Sequence, residues 1–208
     1  MASSRSTSLP PRAWQRMLSG RRLDLLDPSP LDVEIEDIAH GLARVARWNG
    51  QTVGDYAFSV AQHSLLVERL VRHLKPSITP EMLLAALIHD APEYVVGDMI
   101  SPFKAVLGGD YKAVELRLTR AIHLRFGLPA DLPAAMKKLI KRADLMSAWL
   151  EATQLAGFSE AESDRFFIAP PDGCAFDLTP QSPGAAQADF LARFREILTE
   201  IDQARGAA

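Results

Sequence analysis

The apolar positions recur at three- and four-residue spacing along most of the chain, which predicts helices rather than strands. From Ile35 to Ala46, residues Ile38, Leu42 and Val45 fall on one side. The segment Phe58 to Leu74 repeats the pattern with Val60, Leu65, Leu66, Leu70, Val71 and Leu74, and Pro76 ends it. Thr79-Pro80-Glu81 is a helix start, with Thr79 at the N-cap and proline at the first helical position. The helix that follows, Met82 to Ile88, is apolar nearly all round and so belongs in the centre. It delivers His89 and Asp90 at its end, and Pro92 stops it. Further helical patterns run over Asp110–Phe126, Leu132–Leu155 and Gln187–Ala204. The stretch Gly157–Gly184 is irregular, and Pro170-Pro171-Asp172-Gly173 is a strong turn. The one strand candidate is Arg165-Phe166-Phe167-Ile168. The expected fold is an all-α bundle of about six to eight helices.

The 208 residues are 48% hydrophobic and 24% charged, as in an ordinary globular domain. The first 22 residues carry five Arg and no acid, and Pro10-Pro11 break any amphipathic helix there. The expected organisation is therefore a flexible arm over 1–22 and a single domain over 23–208. A net charge of −3 lacks the basic footprint of a protein that grips nucleic-acid polymers. No run of about 18 apolar residues suggests a membrane span. Cys174 is the only cysteine, which suits a reducing compartment, and a cytoplasmic location is expected.

His63, His89-Asp90 and Asp144 lie on three helical segments that should be mostly buried. Taken singly, each has an ordinary structural role. His89 could be a core histidine, Asp90 a helix-end cap, and Asp144 the partner of Lys141 or Arg142. A buried carboxylate nevertheless needs a pair, hydrogen bonds or a metal. One divalent cation shared by His63, His89, Asp90 and Asp144 accounts for all of them. Such a mixed N/O set suits Mn²⁺, Fe²⁺, Co²⁺, Ni²⁺ or Zn²⁺, with Mg²⁺ also conceivable. His73, beside Arg72 and Lys75, reads as solvated and His123 as part of an amphipathic helix, while His40 is ambiguous, with a place in the core near Arg44 favoured over a ligand role.

The order Ala61-Gln62-His63-Ser64, Ile88-His89-Asp90-Ala91-Pro92-Glu93 and Lys141-Arg142-Ala143-Asp144 resembles the HD-domain superfamily of metal-dependent phosphohydrolases. Within it the chain looks most similar to the bacterial HD-domain 5′-deoxynucleotidases. That likeness adds Gly97-Asp98-Met99-Ile100-Ser101-Pro102-Phe103-Lys104 and Tyr111-Lys112-Ala113-Val114-Glu115, and spans roughly residues 38 to 155. The resemblance implies an all-α HD-domain bundle with a central metal site, a homodimer, and hydrolysis of nucleoside 5′-monophosphates to nucleoside and phosphate. It implies that Glu93 orients or deprotonates the attacking water and that Asp98 handles a proton at the other end. It also implies that Arg47 grips the phosphate and Trp48 lies near the sugar. Arg44 competes with Arg47 for the phosphate. The stretch Asn49-Gly50-Gln51-Thr52 departs from the family's proline-containing loop, which bears on sugar selection by Trp48. Two other functions remain open: hydrolysis of a different phosphoester (a sugar phosphate, alarmone or cyclic nucleotide), and binding of metal and nucleotide without turnover.

Overall fold

A computed structural model describes residues 13–99, 109–171, 174 and 176–206. Among these, eight α-helices follow a short two-stranded ribbon: α1 (Ile35–Leu42), α2 (Val60–Leu74), α3 (Pro80–Leu87), α4 (Glu93–Val96), α5 (Gly109–Arg125), α6 (Ala134–Gln154), α7 (Glu160–Ser163) and α8 (Pro183–Gly206). The chain is thus all-α in class, as its periodicity predicts. The ribbon pairs β1 (Trp14–Arg16) with β2 (Arg22–Asp24) in antiparallel register. The later half of the segment expected as a free arm is therefore paired backbone. It is tied down further where the backbone N–H of Ser19 donates to Asp37 of α1. Residues 1–12 lie outside the described residues.

The apolar run in α3 behaves as its composition demands. Leu83 to Leu87 are all buried, enclosed by α2 on one side and α8 on the other. Thr79 occupies the N-cap position with extended backbone, but its hydroxyl makes no capping bond. The helix stops at Leu87, slightly earlier than expected, and His89-Asp90 sit in the turn that follows. That turn is built from Ala91 N–H donating to Ile88 O and Glu93 N–H donating to Asp90 O, both at 3.0 Å. Proline at position 92 donates nothing to the ladder, and α4 restarts immediately after it.

α2 is the central pillar. Ser59 caps it by accepting from the Gln62 N–H, and it packs against α1, α3, α6 and α8. α8 begins at Pro183, earlier than its apolar spacing suggests, because Ser182 caps it by accepting the Ala185 N–H. It buries Ala186, Phe190, Phe194, Ile197 and Ile201 against the rest of the bundle. The C-terminal helix thus closes the core. No helix among the described residues is long and apolar enough to cross a membrane.

α1 and α4 touch through backbone. A Cβ built on Gly41 would lie 2.7 Å from Tyr94 Cβ and 2.9 Å from Tyr94 O. Backbone cannot yield there as a long side chain could. Gly41→Ala is expected to destabilise the protein by about 1–3 kcal/mol through overpacking. A urea titration would show this as a lowered midpoint, and an unchanged midpoint would mean that α1 and α4 are further apart than described.

The segment Arg165–Ile168 is not a strand. Phe166 and Phe167 both donate their backbone N–H to Ser163 O, winding the chain out of α7 as a turn. The capping box Ser159/Glu162 fixes α7, and the two aromatic residues that resemble a strand in sequence continue from it.

A candidate metal centre beside a charged and aromatic cavity

His63 lies in the first half of α2, and its ring is fully buried. Its Nδ1 is 2.6 Å from Glu151 Oε1 and 3.1 Å from Ser147 Oγ, both on α6. Its Nε2 points the other way, 3.3 Å from Asp90 Oδ2 and 3.5 Å from Asp144 Oδ1. His89 is arranged in the same sense. Its Nδ1 is 2.9 Å from the Ala86 carbonyl oxygen, and its Nε2 is 3.2 Å from Asp90 Oδ2.

Both rings therefore have Nδ1 against an acceptor and Nε2 buried without a hydrogen-bond partner. Nδ1–H donation fixes the tautomer and leaves the Nε2 lone pair free, the usual preparation of a metal-binding imidazole. One ligand atom each from His63, His89 and Asp90 lie within 4.8 Å of one another. These three residues could hold a metal ion. The donors are nitrogen and oxygen, and two orphaned nitrogens converge on one carboxylate oxygen, so the residues fit such an ion.

Asp144 approaches this group from α6. Its Oδ2 accepts from Lys141 Nζ at 2.7 Å, the structural pairing expected of it, while Oδ1 faces His63. Lys141 is 68% exposed, and an ion pair with so open a partner contributes little. It does not account for the carboxylate beside His63.

The charges are interlocked. Burial would raise Asp90, but His89 and then His63 outweigh it and hold the carboxyl well below the carboxylate range. Burial likewise opposes ionisation of Asp144, and His63 again lowers it. For His63, burial and the Arg47 cation both disfavour protonation. Glu151, Asp144 and Asp90 prevail and raise it well above an ordinary histidine. Without a cation in the cluster, His63 is thus the group that answers the surrounding carboxylates.

Glu151 is the residue that sequence reasoning missed. It is fully buried, and four side chains converge on its carboxylate. Oε1 meets His63 Nδ1 and accepts from Ser147 Oγ at 2.7 Å. Oε2 accepts from Arg47 Nε at 3.1 Å and from Trp48 Nε1 at 2.9 Å. Burial pushes its carboxyl up, but Arg47 first and then His63 bring it down to about 2. A signal existed: Asp144, Ser147 and Glu151 are spaced to share one face of α6.

Arg47 lies between two carboxylates, with Nη1 3.0 Å from Asp98 Oδ2 in addition to its bond to Glu151. Arg44 is turned elsewhere. It is exposed, and its Nη1 donates to the His40 carbonyl and to Gln187. Of the two arginines, only Arg47 reaches the site. Trp48 and Asn49 both have left-handed backbone, at φ 55° and 52°. A non-glycine residue held in that region marks strain that its surroundings maintain. Here the Trp48–Glu151 bond and the Arg47 N–H to Phe58 O bond at 2.8 Å hold the turn.

A cavity of about 620 Å³ opens onto Asp90 and Asp144. Glu93, Asp98, Arg47 and Lys141 line its charged end, and Trp48, Phe158, Phe166 and Phe167 line the rest with a few aliphatic side chains. Glu93 is buried at the start of α4. The structure thus gathers Arg47, Trp48, Glu93 and Asp98 around the same cavity that Asp90 and Asp144 line, with His63 and His89 behind them, and leaves Arg44 outside. A smaller hollow of about 370 Å³, lined in part by Lys112 and Glu115, lies on another side of His89 and Asp90. Ile100 to Lys104, the remainder of the Gly97-Asp98 motif, lie outside the described residues.

His40 is half-buried. His123 is buried, with Nδ1 3.2 Å from the Ala130 carbonyl, and His73 is exposed.

A comparison with protein-family models gives no match. The chain is 62% identical over 194 residues to an uncharacterized protein of Rhodobacter capsulatus, RCAP_rcc00048, covering 91% of this chain and 98% of that one. It is 31% identical over 166 residues to the uncharacterized Escherichia coli protein YfdR, covering 80% and 85% respectively.

Proposed function

This chain belongs to the family that includes those Rhodobacter and Escherichia proteins, and from its own residues we propose that it is a metal-dependent phosphohydrolase of the HD-domain type, cleaving nucleoside 5′-monophosphates, deoxynucleotides among them, to nucleoside and phosphate. Both relatives are uncharacterized, so the reading rests on the site. The observation that carries it is the pair of buried Nε2 atoms of His63 and His89 meeting at Asp90 Oδ2, on the wall of a cavity that also holds Arg47, Glu93 and Asp98.

His63, His89, Asp90 and Asp144 would hold one divalent ion, of Mn²⁺, Fe²⁺, Co²⁺, Ni²⁺, Zn²⁺ or Mg²⁺ character. When bound, that ion would neutralise charge on phosphoryl oxygens and acidify water. The remaining work falls to the chain. Arg47 and Lys141 give the phosphate its positive surroundings, and the planar guanidinium suits two-point contact with a phosphate. To make that contact, Arg47 exchanges its bond to Asp98 for one to the ligand. Glu93 accepts the proton of the attacking water as its oxygen bonds to phosphorus. The bond from phosphorus to the 5′ oxygen breaks, and Asp98, beside Arg47, relays to that oxygen a proton drawn from solvent. Positioning of this kind is the larger share of phosphoryl transfer.

The test is metal-stripped protein reloaded with each of these ions and offered a panel of 5′-monophosphates, sugar phosphates and cyclic nucleotides. Phosphate is expected from the 5′-monophosphates in at least one loaded form. Release only from another phosphoester would move the substrate class, and binding without release from any would leave a non-catalytic module. Glu93→Gln should retain the metal by elemental analysis and lose roughly 10²–10⁴-fold in kcat, the usual worth of general acid–base catalysis. Parental turnover in Glu93→Gln would remove the role given to Glu93.

A further inference from the structure

The candidate metal ligands stand between two openings. Asp90 and Asp144 line the larger cavity, beside Arg47, Glu93 and Asp98. The smaller hollow, of about 370 Å³, lies on another side. Among the described residues, Asp90 lines both openings, His89 lines only the smaller, and His63 is fully buried. A cation held at Asp90 Oδ2 is thus approached from two directions. Holding and cleaving a phosphate ester uses the larger cavity alone, so the smaller hollow needs an account of its own.

One wall of the hollow is a face of α5, where Lys112, Glu115, Leu116 and Thr119 recur at three- and four-residue spacing. Its chemistry favours cations. Asp90 and Glu115 bring carboxylates, and Glu115 is half-buried. Thr119 Oγ1 donates its proton to the Glu115 carbonyl oxygen at 2.8 Å, so the hydroxyl offers lone pairs to any further partner. His89 has Nδ1 against the Ala86 carbonyl, which leaves the Nε2 lone pair for a metal. Lys112, the cation on this wall, is exposed. A recess lined by more carboxylates than cations concentrates positive ions. Size agrees: a divalent ion with six waters fills roughly 200 Å³, at about 30 Å³ for each water. Leu116 lines the hollow and is itself 44% exposed, which places it where the hollow meets solvent.

We infer that this hollow is the passage by which a hydrated divalent ion reaches and leaves the candidate ligands, apart from the cavity that takes the substrate. The inference rests on the reading of His63, His89, Asp90 and Asp144 as metal ligands and not on the identity of the ester. Metal and substrate then travel by different openings. The metal can exchange while the larger cavity is filled, and Leu116 sets how fast it does so.

The test follows Co²⁺ by its visible absorption in stopped flow. Uptake is measured on metal-stripped protein, and release is measured into excess chelator. Leu116→Trp narrows the hollow and is expected to slow uptake and release alike, by roughly tenfold or more, with the dissociation constant unchanged. The unchanged constant shows that the ligands are intact. Leu116→Ala should leave both rates equal to or above the parental ones. Phe166→Ala, which opens the mouth of the larger cavity, should leave them as they are. Parental rates in Leu116→Trp would overturn the passage, and faster exchange in Phe166→Ala would assign the traffic to the larger cavity. Weakened affinity with faster release in Leu116→Trp would make Leu116 a support of the ligands and would also overturn it. A parental protein that takes up no Co²⁺ refutes the metal centre and the passage together. Exchange slowed by Leu116→Trp in a protein that releases phosphate from no ester upholds the passage and removes only the phosphohydrolase.

Discussion

Glu151→Ala is expected to lower the stability of the metal-free protein by about 3–5 kcal/mol, the cost of stripping one partner from a buried ionic network. Four groups lose their acceptor together: the His63 imidazole, the Ser147 hydroxyl, the Arg47 guanidinium and the Trp48 indole. Asp98 still balances Arg47, and Asp90 and Asp144 remain at His63 Nε2, but the carboxylate at His63 Nδ1 is lost. The milder Glu151→Gln retains an acceptor and separates packing from charge. It should weaken metal affinity by roughly 10–100-fold, as changes behind a metal-ligating histidine do. Competition with a chelator measures that quantity, and a purely structural Glu151 would leave it unmoved. Acidity offers an independent check. The carboxyl of Glu151 is lowered from its ordinary 4.5 to about 2, so its contribution is complete above about pH 4.5 and is lost as the pH falls toward 2. Unfolding of Glu151→Gln should accordingly be less sensitive to pH across that interval than unfolding of the parental protein.

Asp90→Asn is expected to abolish metal retention, and with it the phosphatase activity proposed above, because Oδ2 of Asp90 is the point shared by both imidazole Nε2 atoms. The amide keeps the shape and removes the charge, so its effect reports on the cation rather than on packing. Asp144→Ala should lose metal too, but less completely. Asp144 stands outside the tight group of His63, His89 and Asp90, and its other oxygen is occupied by Lys141. Elemental analysis after dialysis ranks the variants as parental, then Asp144→Ala, then Asp90→Asn. An Asp90→Asn protein carrying a full complement of metal would remove Asp90 from the ligand set.

What could be read in the chain beforehand was whatever sits in a local pattern. The unbroken apolar run of α3 announces a buried helix, and two polar residues directly behind it invite explanation. Asp144 interrupts an amphipathic helix in the same conspicuous way. Glu151 escaped because a lone acid near the end of a long helix looks solvated. Its burial depends on His63, 88 residues away, and Arg47, 104 residues away. The β1–β2 ribbon is too short for its alternation to register among arginines and serines. Phe166-Phe167 have strand-forming side chains but follow the Ser159/Glu162 capping box, which starts a helical turn and carries the chain past them. The choice between Arg44 and Arg47 was settled by neither composition nor periodicity. It turns on where α1 ends, and α1 ends at Leu42, so that Arg47 enters the cavity while Arg44 faces solvent and Gln187.

The two adjoining residues with positive φ impose an order on the breathing of the native state. Energy held in a distorted backbone is returned when that backbone relaxes, so such a stretch opens for less than its unstrained neighbours do. At Trp48-Asn49 the restraint comes from the indole bond to Glu151 and the Arg47 N–H bond to Phe58 O, and Gln51 closes the turn by donating to Trp48 O at 2.9 Å. Release of that short piece would free the Trp48 indole, while the histidines and aspartates are held on α2, on α6 and behind α3. The strained backbone of the pocket and its helical backbone thus belong to different parts of the chain.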